Sequence, residues 1–450
     1  MEDRDMKQSD IGPIKAQIDE CIARRRFLAS GLATVCGMRL TNHTTAARSE
    51  VLHGAVNSTK QQWTWKQLSA NVSGDEQQQP VARDPWNGML AFQRHLYLFG
   101  GAFPKYGPPK QVADLTTLGT LNDLWQYDTQ TAHWNRVQSD DGTSGFDGSS
   151  QRPSGRVLPA WVEVDGKFYL FGGLSVTSAG WRFRLMNDFW KFDPQKVKWE
   201  LLEPDDQRAL KFSTQVDGGR PSTLSAMGVC AIGKTIYFFG GWGGHSRKVV
   251  LSGQQWSFQT DRREWKMLGS GKAAKNRWPP KRYCPALTSW EDSLYLWGGR
   301  DSEDRSPQFY NDLWTFDPKQ SRWEQIHRNG QVGPTARYGM GHARIGHHWY
   351  VFGGFANETG NAPQLNDLWR LDLRTGKWTE IQPNDGSKDI SRTAARPSVR
   401  RVPAMTALND SVYLFGGLDL ASGPKHQGPL IGFNDLWRGT FVPKGRSTAK

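Results

Sequence analysis

Four arginines in this chain share one register. Arg156, Arg282, Arg337 and Arg400 each stand thirteen residues before a tyrosine: Tyr169, Tyr295, Tyr350 and Tyr413. A guanidinium is always charged and presents its donors in a rigid fork, so a repeated set suits carboxylate, sulfate or phosphate groups. The same register places Asp84 and Leu224 ahead of Tyr97 and Tyr237. Tyr283 and Tyr338 follow two of the arginines, and Arg300 and Trp242 directly follow glycine pairs. These eight residues (Arg156, Arg282, Arg337, Arg400, Tyr283, Tyr338, Arg300 and Trp242) are the candidate ligand-binding set. The basic segments "KAAKNRWPPKR" (272–282) and "RTAARPSVRR" (392–401) lead towards them. A structural reading competes: the arginines pair with local carboxylates or backbone carbonyls. The two readings differ in sign, because removing one of several clustered cations relieves repulsion, whereas removing half of an internal ion pair destabilises.

Other chemistry is sparse. The chain has ten histidines but no His-x-His or His-x-x-x-His pair, and "HARIGHH" (342–348) falls across a tight turn. There is no G-x-S-x-G nucleophile motif. The four cysteines, Cys21, Cys36, Cys230 and Cys284, include no C-x-x-C. Relative to the tyrosine of the same register, Cys230 lies seven residues back and Cys284 eleven back. A four-residue offset along strands is about 13 Å, too far for a disulfide, so both are expected as free buried thiols. No cofactor and no metal is expected, and no catalytic residue is assigned.

The elements that must position these residues are spelled by repetition. An apolar strand ending in a glycine pair occurs six times: "LYLFGG", "FYLFGG", "IYFFGG", "LYLWGG", "WYVFGG" and "VYLFGG". "NDLW" occurs at 122–125, 311–314, 366–369 and 434–437, and "NDFW" at 187–190. Trp followed three residues later by an aliphatic also recurs six times, at Trp65, Trp134, Trp199, Trp265, Trp323 and Trp378. Fixed spacing inside the unit and variable spacing between units describe strands joined by loops of free length. Each unit holds four short strands: a small-residue strand a, strand b ending in the glycine pair, strand c at "NDLW", and strand d carrying the tryptophan. With 48 Gly, 24 Pro and 21 Trp, the composition agrees with many short strands and turns.

The glycine pair, the aromatic and the tryptophan in this order resemble the kelch repeat. The resemblance implies an all-β fold, a six-bladed kelch β-propeller of four-stranded blades, over 63–442. Most recurring residues are then expected to be packing: Trp, Leu and Tyr between and within blades, Asn and Asp as turn formers, and Gly for close turns. Blade 3 departs from the pattern, with "GQQW" at 253–256, and blade 6 has Gly439 where other blades carry Leu or an aromatic. The first repeat string is a strand d, "WTWKQL" at 63–68, and no such string follows Trp437. The N-terminal strand is therefore expected to complete the last blade, which also removes exposed edges. Loops b–c and d–a are long and share one face, while a–b and c–d turns are tight and share the other. Function is expected on the long-loop face. Galactose oxidase shares the kelch propeller, and Tyr283-Cys284 with Tyr338 nearby by register echo its copper-radical centre, but no Tyr-His pair accompanies them; the further carboxy-terminal domain that completes that site is expected to be missing. A sugar mutarotase built on the same repeat is the other enzymatic analogy. The principal expectation is a binding protein rather than an enzyme.

At the amino terminus, Arg24-Arg25-x-Phe27-Leu28 matches the twin-arginine export pattern, followed by a mild apolar stretch and small residues at 44–47. The expected layout is a signal peptide at 1–47, a linker at 48–62, the propeller, and a polar tail at 443–450. Residues 1–47 hold seven Lys/Arg and six Asp/Glu, so most of the net charge of +13 belongs to the body. A basic, exported (periplasmic or extracellular, bacterial) protein is expected to meet an anionic glycan or an acidic protein surface, not nucleic acid. It is expected to lack a membrane span after signal cleavage and to be a monomer.

Overall fold

A computed structural model describes residues 61–70, 78–104, 118–143, 151–176, 183–207, 219–245, 248–271, 277–301, 308–356, 364–391, 393–420 and 430–443. The expected signal segment, most of the linker and nearly all of the tail lie outside these. No helix among them is long and apolar enough to cross a membrane.

Six antiparallel sheets of four or five strands follow one another along the chain, with two further two-stranded ribbons in the loops among the described residues. Blade 1 comprises Met89–Phe92, His95–Pro104, Leu118–Asp128 and His133–Gln138. Blade 2 comprises Ala160–Val164, Lys167–Val176, Phe183–Asp193 and Lys198–Glu203. Blade 3 is Gly228–Ile232, Thr235–Phe239, Gln255–Gln259 and Glu264–Gly269, and blade 4 is Ala286–Trp290, Ser293–Trp297, Leu313–Asp317 and Arg322–His327. Blade 5 is Gly341–Ile345, His348–Ala356, Gln364–Asp372 and Lys377–Gln382. Blade 6 takes Ala404–Leu408, Ser411–Phe415 and Leu436–Pro443, and its outer strand is Gln61–Ser69 from the start of the chain.

That closure explains Gly439. It pairs directly with Trp65, and a Cβ there would collide with the rings of Trp63 and Trp65. The position that carries an apolar side chain elsewhere is emptied to admit two tryptophans from the other end of the chain.

The blades meet through two repeated devices. The strand-d tryptophan packs edge-on or tilted against the strand-b aromatic of the preceding blade: Trp199 on Phe99, Trp265 on Phe171, Trp323 on Phe239, Trp378 on Trp297, Trp65 on Phe352 and Trp134 on Phe415, all with centroids 5.3–5.5 Å apart. Each burial contributes about 1.5–3 kcal/mol. The second device is the glycine pair. The second glycine donates its N–H to the next blade, as Gly173 does to Leu224 O and Gly354 to Arg400 O, both at 2.9 Å, and Gly417 closes the ring onto Arg83 O at 3.0 Å. Gly172 and Gly173 have φ of 63° and 101°, and a Cβ on Gly172 would run into the backbone of Leu224, so the pair serves both backbone conformation and close approach.

Strand a begins later than the sequence suggested. Residues such as Arg156–Pro159 precede the strand rather than start it, because Leu158 adopts a left-handed backbone at φ 57°. Pro159, Pro285 and Pro403 therefore sit just before the strands and remove no ladder hydrogen bond. Cys230 and Cys284 are free and buried.

Candidate functional site

The four registered arginines are fully buried and committed internally. Arg156 donates Nη1 and Nη2 to Asp188 at 2.7 and 2.8 Å, and Arg282 does the same to Asp312 at 2.6 and 2.9 Å. Arg337 grips Asp367 at 2.6 and 2.8 Å, and Arg400 grips Asp435 at 2.6 and 2.9 Å. Each also donates Nη1 to the first glycine carbonyl of its own blade at 3.0 Å. The acceptors are the aspartates of "NDLW" and "NDFW". The same carboxylates take the indole N–H of the tryptophan two residues on, for example Trp314 at 2.7 Å. The expectation of an arginine ring facing a ligand is thereby corrected: these forks are saturated by buried carboxylates and offer nothing to the channel.

The aspartate of "NDLW" is likewise more than a turn former. It ties strand c to the chain entering strand a, while the asparagine secures the following d–a loop: Asn366 donates to Asp385 at 2.7 Å and Asn122 to Asp141 at 2.8 Å.

A fifth pair exists in blade 1, but through Arg83 and Asp123 at 2.7 and 2.9 Å rather than Asp84. One extra residue lies between Arg83 and strand a, so counting back from Tyr97 misses by one. Blade 3 lacks both members, with Leu224 in place of the arginine and Gln254 in place of the aspartate. Gln254 still accepts the Trp256 N–H at 3.0 Å.

The extra residue of blade 1 also shapes the centre. Trp86 donates its indole N–H to Met340 O of blade 5 at 3.1 Å, and Asn87 donates to Met227 O of blade 3 at 3.3 Å. Neither blade neighbours blade 1 in the ring, so these side chains cross the axis. Trp86 is 1% exposed and packs in the middle of the ring in one apolar cluster with Tyr338 and Phe355. The residues gathered around it where the b–c and d–a loops emerge are termed the cup.

The cup is lined by the residues one step beyond the arginine positions, each bridged to the residue after a glycine pair: Asp84 with Ala102, Val157 with Leu174, Ser225 with Trp242, Tyr283 with Arg300, Tyr338 with Phe355, and Arg401 with Leu418. Four of the eight candidates, Tyr283, Tyr338, Arg300 and Trp242, therefore converge, and the other four do not. Tyr283 and Tyr338 rings lie 5.5 Å apart. The Arg300 guanidinium stands over Phe309 and Tyr338 at 5.1 and 5.5 Å. Arg401 is half-buried, lies 6.0 Å from the Phe355 ring centre and reaches the Tyr338 hydroxyl at 3.5 Å. Its Nε has no hydrogen-bond partner among the described residues.

Asp84 accepts the Trp86 backbone N–H at 3.3 Å. Burial pushes its carboxyl up to about 6, against the opposing pull of the Trp86 N–H and the Arg401 charge. Burial, and the neighbouring Tyr338, push the Tyr283 phenol up, so it serves as a neutral donor. Burial foremost, then Asp84, push the Cys284 thiol up, which leaves it unreactive at neutral pH. Among the described residues no group of three metal-binding side chains occurs in the cup.

Arg401, Asp84 and Trp86 were missed as site residues by sequence reasoning. The doubled arginine of "RRVPA" and the longer "DPWNGM" were the available signals.

Six four-stranded blades, joined by glycine pairs and closed by an N-terminal strand around a cup, define a kelch-type propeller. The model of the KLHDC2/KLHL20/DRC7 kelch-repeats domain matches residues 49–241 and 226–395, and the chain belongs to that family. It is similar to host cell factor homolog hcf-1 of Caenorhabditis elegans, 25% identical over 234 residues, covering 48% of this chain and 28% of that protein. It is similar to kelch domain-containing protein 10 of Homo sapiens, 24% identical over 302 residues, covering 65% of this chain and 59% of the relative. It also resembles N-(sulfonatooxy)prop-2-enimidothioate sulfolyase of Thlaspi arvense, 25% identical over 315 residues, covering 67% of this chain and 79% of that enzyme. The chain thus spans less than two thirds of the first two relatives.

Proposed function

We propose that this propeller is a recognition module that binds an anionic ligand, an acidic glycan or an acidic protein surface, in the cup on its long-loop face. The observation that carries the reading is Arg401: a half-buried guanidinium over an aromatic wall, its Nε without a partner among the described residues. Arg300, Tyr283, Tyr338 and Trp242 supply a second cation, hydroxyl donors and stacking surface beside it. The test is a thermal-shift and titration screen with acidic oligosaccharides and Asp/Glu-rich peptides at low and moderate salt. Arg401→Gln should weaken the best binder by about 1.5–3 kcal/mol, as for a charge-assisted hydrogen bond, with the melting temperature nearly unchanged. Undiminished binding by this variant refutes the assignment.

Sugar-processing chemistry in the same cup is the second reading. One observation favours it: Asp84, its carboxyl raised to about 6, stands near Arg401 as a proton-transferring group would. The sulfolyase relative acts, by its name, on a substrate bearing a sulfonatooxy anion. Turnover of a sugar or sulfate-ester panel that Asp84→Asn abolishes would establish it.

We further propose that the protein acts after export to the periplasm or beyond. That reading rests on Arg24-Arg25-x-Phe27-Leu28, which lies outside the described residues. Lysines at both Arg24 and Arg25 should hold the precursor in the cytoplasm, and unchanged export of the double variant overturns it.

A further inference from the structure

On the opposite face, blade 5 carries a cluster that the cup does not use. His347, His348 and Asp372 bring three ligand atoms within 4.8 Å of one another, and all three residues are partly exposed. The imidazole centroids are 4.0 Å apart, and His347 Nε2 lies 4.0 Å from Asp372 Oδ2. The backbone holds the three in place. His348 and Asp372 are direct cross-strand partners at the ends of strands b and c, so their side chains share one side of the sheet. His347 is the last residue of the a–b turn, and its carbonyl accepts Leu373 N–H at 2.9 Å.

The equivalent corners of other blades show what is unusual. In blade 1 the strand-c aspartate, Asp128, is neutralised by Arg94 at 2.9 Å from the a–b turn. In blade 2 Lys167, the first residue of strand b, neutralises Asp193 at 2.8 Å. Blade 5 has two imidazoles at those two positions. The cations of blades 1 and 2 are thus absent from those two positions, where two imidazoles face the carboxylate, and the cation of blade 5, Arg374, reaches Asp372 from the c–d turn instead. We propose that His347, His348 and Asp372 form a binding site for a divalent transition-metal ion of the zinc class on the short-turn face of blade 5.

The donor set fits that chemistry. Two imidazole nitrogens and one carboxylate oxygen are borderline ligands of the kind zinc takes, at about 2.0–2.2 Å each, leaving a fourth position open to water. Bonds of that length place donors roughly 3.4 Å apart in a tetrahedron, so closure needs only small side-chain rotations. The competitor is Arg374, which donates Nε and Nη2 to Asp372 at 3.2 and 2.8 Å. Its side chain is 55% exposed and free to swing into water when an ion takes the carboxylate.

The experiment is calorimetric titration of the full chain with zinc chloride at pH 7.5, after treatment with chelator, beside His347→Ala/His348→Ala and Arg374→Ala. The parent should bind one zinc equivalent that the double-histidine variant lacks. Arg374→Ala should bind that equivalent more tightly, a response that weak scattered binding to other surface groups would not give. The zinc-dependent rise in melting temperature should vanish in the double variant while its melting temperature in chelator matches the parent. Equal stoichiometry and affinity in parent and double variant, or no zinc binding by the parent, would overturn the proposal.

Discussion

Replacing Arg282 by Leu should destabilise the propeller severely, and the structure sets the size. Arg282 is fully buried and Asp312 nearly so, at 0% and 3% side-chain exposure. The guanidinium makes two bonds to that carboxylate, one to Pro280 O and one to Gly298 O, and stands 4.0 Å from the Tyr310 ring centre. Without it, Asp312 retains the Trp314 N–H but has lost its counter-charge in a dry site. Breaking a buried pair from one side costs about 3–5 kcal/mol. Blade 3 shows how the same place survives without charge, with Leu224 and Gln254 in the paired positions and the tryptophan bond kept. Arg282→Leu combined with Asp312→Gln copies blade 3 into blade 4. It should recover at least about 1–2 kcal/mol of the loss, since the uncompensated charge is gone and the orphaned carbonyls of Pro280 and Gly298 remain. Urea denaturation followed by tryptophan fluorescence measures both variants. A single variant within about 1 kcal/mol of the parent, the range of an ordinary surface change, refutes the reasoning, as does a double variant no more stable than the single.

Deleting residues 48–68 removes the strand paired with Leu436–Pro443 and should give aggregation or a large drop in melting temperature; a deletion variant that melts like the parent contradicts closure. Gln255 occupies the leucine position of blade 3, fully buried, with Nε2 and Oε1 both lacking partners among the described residues. Gln255→Leu should therefore stabilise by about 1–3 kcal/mol, read as a higher denaturation midpoint. Asp84 has a folded carboxyl raised to about 6 from 3.8, so between those values the native state holds a proton that the unfolded chain has released. Its contribution thus falls as pH rises from about 4 to 6 and stays unfavourable above. Asp84→Asn should raise stability at pH 7.5 and leave it unchanged near pH 3.5; an equal gain at both pH values would contradict the shift.

Periodicity alone determined the architecture. Six glycine pairs, five "NDLW"-type strings and six tryptophans in fixed phase define strands whatever loops join them, and a leading strand d with no trailing one dictates how the ring closes. Strands and tight turns are local properties, because they depend on near neighbours in the chain, and closure follows from the count of repeats. Which arginines face a ligand is not local. Arg282 and Arg401 stand one register step apart in sequence, yet one meets a carboxylate thirty residues away in the same sheet and the other reaches the Tyr338 hydroxyl and the Phe355 ring of blade 5. Strand pairing within blade 4 brings Asp312 to Arg282, and the packing of blade 6 on blade 5 leaves Arg401 beside Tyr338, so only the fold distinguishes them. The single-residue insertion at Trp86 is legible in the sequence only as a count shifted by one, which does not say where the indole goes. In the fold it carries an indole across the axis to blade 5, because a side chain near the centre of a ring reaches blades distant in sequence.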